Sequence, residues 1–325
     1  MKKIICIITA IILLASLASC EKKEASDSPS LKKITIALDY TPNTNHAGLY
    51  VAKDKGFFKD AGYNVEIIQP SEDGAEVMVA SGQAQFGVSF QENVVMARAS
   101  DSPLPIIAVA AVLEHNTSGI LSLKEKNITR PKDMEGKKYA TWDLPVEKET
   151  LKTVIGTDGG DFNKVTMISS TVTDAVSAMK TEVDCVWVFY GWDGIAAEVQ
   201  NVETNYFAFS DIDPVLDFYT PVIISNEDYL DKNKDDAKKI MDAIKKGYRY
   251  TVENIDEAKT ILLDNAPEIG NDLCVASLNY LKDKFASDMT KWGYIEESRW
   301  NGFSDWLYSK GIISKQPDEG FRNIL

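Results

Sequence analysis

Short apolar runs alternate with amphipathic stretches along most of the chain. Residues 34–38 (Ile-Thr-Ile-Ala-Leu) predict a strand, and a helical pattern follows over 47–61. Residues 65–68 and 86–90 predict two more strands, with helices near 75–81 and 93–99, and 106–113 is another β-rich run. This strand–helix–strand rhythm, with short connections, predicts layered α/β structure with parallel strands. A second block of the same texture runs from about 123 to 217. Its candidate strands are 138–141, 165–168, 185–190 and 206–209, and its candidate helices are 146–155 and 172–180. Beyond residue 235 the pattern becomes helical. Ile240, Ile244 and Tyr248 recur every four residues, and Trp300, Phe303, Trp306 and Leu307 form a stripe that reads as core. Two α/β blocks followed by helices fit two lobes between which the chain crosses and returns, with 119–122 and 219–225 as the crossing strands.

The N-terminus changes the picture of where the chain works. Lys2 and Lys3 precede an apolar run over 4–17, shorter than the about 20 residues a membrane span needs. It closes in Leu17-Ala18-Ser19-Cys20, as a cleavable export signal does. This end resembles the bacterial lipoprotein signal, in which Cys20 is acylated and becomes the new N-terminus. Residues 1–19 are then the signal peptide and 20–30 a polar, lipidated tether. The mature chain of roughly 300 residues suits two domains.

Formal charge is −14 over 325 residues. Such a chain offers no electrostatic footprint for nucleic acid and is repelled by anionic lipid surfaces, so attachment would fall to the acyl chains. Cys185 and Cys274 remain after cleavage, without a CxxC pair or a His-rich spacing for zinc. Cys185 reads as a small buried hydrophobe in an apolar run, and a disulfide to Cys274 is an open alternative.

Candidate chemistry gathers at the ends of predicted strands, where open α/β sheets bind ligands. Asp39, Tyr40, Asn43 and His46 follow the first strand. Gln91 and Glu92 follow the third. Trp187 is a candidate within a later apolar run, and Tyr190, Trp192 and Asp193 follow that run. Tyr and Trp offer stacking faces, and carboxylates and amides read ring nitrogens and amino groups. A site for phosphate or sulfonate calls for arginines or glycine-rich helix starts. The first block has only Arg98, and neither GxGxxG nor GxxxxGK[ST] occurs.

Residues 38–52 (Leu-Asp-Tyr-Thr-Pro-Asn-Thr-Asn-His-Ala-Gly-Leu-Tyr-Val-Ala) and Gly56-Phe57-Phe58 resemble the NMT1/THI5-like family of importer binding proteins. Segments 87–92, 187–195 and 219–224 are similar to further parts of it. The resemblance implies a type II periplasmic-binding-protein fold, an α/β architecture of two lobes joined by two crossing strands with the ligand between them. Lobe 1 would comprise 31–122 and 220–325, and lobe 2 would be 123–219. It implies a monomeric solute-binding component, with no cofactor and no metal, serving an ABC permease and its ATPase. The ligand it implies is a thiamin pyrimidine precursor, with riboflavin as the alternative. Tyr40, Asn43, Tyr190 and Trp192 would lie near the ring, with Asp193 beside them. A rival from another class is a pyrimidine-synthesising enzyme, since the family also includes the fungal synthase. That enzyme uses pyridoxal phosphate and a histidine of its own, and this sequence has only His46 and His115 and lacks the expected cysteine cluster.

Cys20→Ala is expected to release the protein from the membrane fraction and to remove the mass of a diacylglycerol. Unchanged fractionation and mass would overturn the lipoprotein reading.

Overall fold

Two five-stranded sheets form the centre of the computed structural model, which describes residues 31–170 and 172–325. The signal, the tether and Cys20 lie outside the described residues. The first sheet contains β1 (Lys32–Ala37), β2 (Tyr63–Ile68), β3 (Phe86–Ser89), β4 (Ile106–Ala111) and β10 (Val222–Asn226), in the order β2-β1-β3-β10-β4. The second contains β5 (Ser118–Leu123), β6 (Lys138–Thr141), β7 (Thr166–Ser169), β8 (Cys185–Phe189) and β9 (Thr204–Ala208), in the order β7-β6-β8-β5-β9. β1 runs parallel to β2 and β3, and β6 runs parallel to β7 and β8. Each sheet takes one antiparallel strand. β10 lies between β3 and β4, and β5 lies between β8 and β9. β4 and β5 are buried at every position, as expected of strands covered on both faces.

This pairing moves the lobe boundaries. Residues 119–122 are not a crossing strand of the first lobe, because β5 is hydrogen-bonded on both sides within the second sheet. The crossings are the segments 112–117 and 213–221. The predicted helix over 47–61 is two pieces, Ala47–Asp54 and Phe57–Asp60, because Gly56 adopts a left-handed conformation (φ 76°) that ends the first helix. The helix predicted over 172–180 begins at Ala175, where the Asp174 side chain accepts from the Ser177 N–H.

The C-terminal helices cover the first sheet. Helix Lys234–Glu253 buries Ala237, Ile240, Met241, Ile244, Gly247, Tyr248 and Thr251 along one stripe. It crosses helix Ala47–Asp54 closely. A Cβ on Gly247 would stand 2.0 Å from the Gly48 carbonyl oxygen, and one on Gly48 would stand 2.3 Å from the Tyr248 ring. Trp300, Phe303, Trp306 and Leu307 are core on helix Glu297–Ser309, over the other face of the sheet. Cys185 and Cys274 are both buried free thiols, so no disulfide joins them. Among the described residues no helix is long and apolar enough to cross a membrane.

Gly247→Ala should lower unfolding stability by about 3 kcal/mol, at the upper end of overpacking costs, since backbone and not a flexible side chain blocks the new methyl. Urea unfolding measures this, and an unchanged midpoint would contradict the close crossing.

Candidate functional site

The carboxyl ends of β1, β2 and β3 and those of β6, β7 and β8 leave the two sheets as loops and turns, and the candidate residues sit on them. After β1 the backbone makes a single 3-10 turn, Thr44–His46, capped by Asn43. The Asn43 Oδ1 accepts from the Asn45 N–H at 2.9 Å, and its Nδ2 donates to the Thr41 carbonyl at 3.2 Å. His46 Nδ1 accepts from the Asn43 N–H at 3.1 Å, so the ring proton stands on Nε2, which donates to Asp39 Oδ1 at 2.6 Å. His46 is fully buried with both nitrogens engaged. It holds the loop, with Asp39 Oδ1 as its partner. Tyr40, by contrast, is 58% exposed at the start of this loop.

Gln91 is also structural. Its Oε1 accepts from the Tyr219 N–H at 2.8 Å and its Nε2 donates to the Trp300 carbonyl at 2.9 Å, both wholly buried. Glu92, the next residue, is different. Its Oε2 is buried without a hydrogen-bond partner. Burial pushes its carboxyl up to about 8, its own backbone N–H opposes this, and nearby Glu76 adds to it. Glu76 is itself satisfied, accepting from the Ser89 hydroxyl at 2.5 Å and the Asn93 amide at 2.9 Å.

Side chains along β8 alternate between faces. Cys185 and Trp187 face the core that contains Phe209, while Val186 and Val188 face the opposite one, with Tyr190 against it. Tyr190 therefore points away from Trp187. Its hydroxyl donates to Glu198 at 2.5 Å, and its ring lies 4.5 Å from Tyr206 and 5.4 Å from Tyr280. Its partly buried ring thus already has two aromatic neighbours. Residues Tyr190–Gly194 form a π-helical turn. On that turn Trp192 packs against the core of the first lobe, and Asp193 is half-buried, its carboxyl raised to about 6 by burial and by Asp174. The Ser277 hydroxyl donates to the Gly191 carbonyl, so Thr44 must donate to Ser277, at 2.6 Å. The first loop and the π-turn thus meet through one serine of helix Asn271–Leu281.

Sequence reasoning missed the pair that joins the lobes directly. Phe90, at the end of β3, stacks on Phe189, at the end of β8, with centroids 6.1 Å apart and planes 12° apart. It missed Trp142 as well, an aromatic just past β6. The signal was present in both cases, an aromatic at a strand end, and the polar neighbours drew attention from it.

The sequence profile of the NMT1/THI5-like family matches residues 43–258. The chain belongs to that family. It is 30% identical over 307 residues to the formylaminopyrimidine-binding protein of Halalkalibacterium halodurans, covering 93% of this chain and 92% of that one. It is 24% identical over 314 residues to a 4-amino-5-hydroxymethyl-2-methylpyrimidine phosphate synthase of Saccharomyces cerevisiae, covering 89% and 86%. Among solved structures it resembles the periplasmic aliphatic sulphonate-binding protein of Escherichia coli, with a TM-score of 0.67 at 13% identity, covering 89% and 96%. At that identity the likeness is one of fold, the two-lobed periplasmic-binding-protein fold. The family therefore holds both a binding protein and a synthase.

Glu92 should make stability pH-dependent. Its folded pKa lies above the unfolded one, so its contribution is fully present below about pH 4.5 and is lost as pH rises through about 8. Glu92→Gln should therefore be more stable than wild type above pH 8 by a few kcal/mol, because each tenfold change in proton affinity is worth about 1.4 kcal/mol. The gap should close toward pH 4.5. Melting curves across pH 4–9 that run parallel for the two proteins would contradict the burial of this carboxyl.

Proposed function

We propose that this chain is the extracytoplasmic solute-binding component of an ABC importer, anchored through lipidated Cys20. It captures a small aromatic heterocycle between its lobes and delivers it to a membrane permease. The ligand is a thiamin pyrimidine precursor, of formylaminopyrimidine or hydroxymethylpyrimidine type. One observation carries the reading: two residues after Phe90, whose ring pairs with Phe189 across the lobes, Glu92 keeps a buried carboxyl oxygen with no partner. At neutral pH that carboxyl is protonated, so it offers an O–H to a ring nitrogen while its other oxygen accepts. Flat rings and a neutral donor suit an uncharged heterocycle. An anionic ligand is disfavoured, since Arg98 is already held by the Ile106 carbonyl and the Glu227 carboxylate, each at 2.9 Å. The named function of the Halalkalibacterium relative supports the same ligand class.

Riboflavin is the second ligand reading, on the same stacking logic. An enzymatic reading has the yeast synthase behind it. Against it stands His46, whose ring is buried and engaged at both nitrogens, so it has no nitrogen left to enter a reaction.

Calorimetry with formylaminopyrimidine, 4-amino-5-hydroxymethyl-2-methylpyrimidine and riboflavin tests this. The wild type should bind one pyrimidine and return it unchanged after denaturation. Phe90→Ala and Glu92→Ala should each weaken it about tenfold or more, the equivalent of about 1.4 kcal/mol. Absence of binding to all three, or recovery of a modified compound, would sink the proposal.

A further inference from the structure

Trp142 stands just past the end of β6, on the same sheet edge as the π-turn after β8, and is 44% exposed. Trp187, Trp292, Trp300 and Trp306 are all buried. A large apolar ring left in water forgoes the burial that stabilises its counterparts, so something must hold it there. The main chain at Trp142 is held by Glu147, itself almost wholly buried. Its carboxylate accepts from the Tyr139 hydroxyl at 2.8 Å, the Thr141 hydroxyl at 2.7 Å, the Trp142 N–H at 3.1 Å and the Leu144 N–H at 3.4 Å. Burial and the neighbouring Glu147 push the Tyr139 phenol well up, so it stays a donor at any working pH. Between the two held amides Asp143 adopts a left-handed backbone (φ 65°), which is costly for a residue with a side chain. The Asp143 N–H donates to Thr141 Oγ1 at 2.9 Å, and the Lys148 ammonium pairs with its carboxylate. The backbone that carries the exposed ring is therefore fixed by a buried network.

A second, independent observation lies beside it. Trp187 is 9% exposed, its ring centroid is 5.8 Å from that of Trp142, and its indole N–H is buried without a partner. An indole nitrogen can only donate, and buried donors are nearly always paired. Phe209 packs edge-on with it at 4.4 Å and has no oxygen or nitrogen in its side chain to accept that N–H.

We propose that Trp142, exposed on a backbone clamped by Glu147, is a stacking platform for a planar, electron-poor heteroaromatic ring, and that the Trp187 N–H is the donor to an acceptor on that ring's edge. The proposal rests on the function proposed above and adds two contacts in the second lobe. An electron-rich indole face favours an electron-poor ring such as a pyrimidine, in an offset arrangement.

The test uses the mature chain and whichever of formylaminopyrimidine and 4-amino-5-hydroxymethyl-2-methylpyrimidine binds the wild type. Trp142→Ala should weaken binding about tenfold or more. Trp142→Phe should stay within about threefold, because a ring remains, yet should lose most of the ligand-induced quenching of tryptophan fluorescence. Trp187→Phe, which keeps a ring and removes the N–H, should weaken binding about tenfold. Binding by Trp142→Ala within about twofold of wild type overturns the platform. If that variant does not fold, unchanged quenching in Trp142→Phe overturns it instead. Wild type that binds neither compound sinks the functional reading itself, whereas wild-type binding with indifferent Trp142 variants sinks this inference alone.

Discussion

Because the chain passes twice between its two sheets, most of the architecture follows from where those passages are tied. Each passage adds one antiparallel strand to the sheet it enters, β5 in one and β10 in the other, and the parallel strands keep their carboxyl ends on the edges that carry the loops. The tie is polar and largely withdrawn from water. Asp217 of the return segment accepts from the Asn116 N–H of the outgoing segment at 2.8 Å, from Arg299 at 2.8 Å and from His115 at 2.6 Å. The Arg299 guanidinium lies 4.0 Å over the Tyr219 ring, and Tyr219 exchanges hydrogen bonds with Gln91 at the end of β3. A carboxylate meeting a planar guanidinium with further donors is a strong, directional joint. It fixes where β3 ends, and so where Phe90 and Glu92 stand.

The acids of this molecule divide by how they are treated. Asp39, Glu147 and Asp217 are each met by donors, and each holds a loop in place. Glu92 and Asp193 are also withdrawn from water, but burial outweighs the donors near them, and their carboxyls titrate high. A fold that satisfies its structural carboxylates so fully leaves the under-satisfied ones as the places where an incoming polar group would gain most. Both belong to segments at sheet edges, one in each lobe.

Much is legible in the residues themselves. Apolar runs locate all ten strands within a few positions, most plainly β3, β4 and β5, where burial on both faces leaves a continuous signature. Which sheet a strand joins is not legible in this way: β5 reads as a crossing strand and proves to be paired on both sides in the second sheet, since pairing partners leave no local mark. The loop after β1 reads as chemistry because it concentrates Asp39, Tyr40, Asn43 and His46. Its local spacing in fact encodes a cap: Asn43 and His46 stand three apart, the distance at which a side chain reaches back to the first amide of a turn.

What sequence alone determined is therefore periodicity, the α/β class, and family membership, all properties of neighbours within a few residues or of motifs read in order. Tertiary structure decided which polar groups were already spent. Gln91 is consumed by Tyr219 and Trp300, 128 and 209 residues away, and the Tyr190 hydroxyl is taken by Glu198. One oxygen of Glu92 and the Trp187 indole N–H, no different from these in the sequence, are left without partners. Hydrogen-bond saturation is set by groups that meet only when the chain has folded, so no local pattern can distinguish a committed amide from an available one.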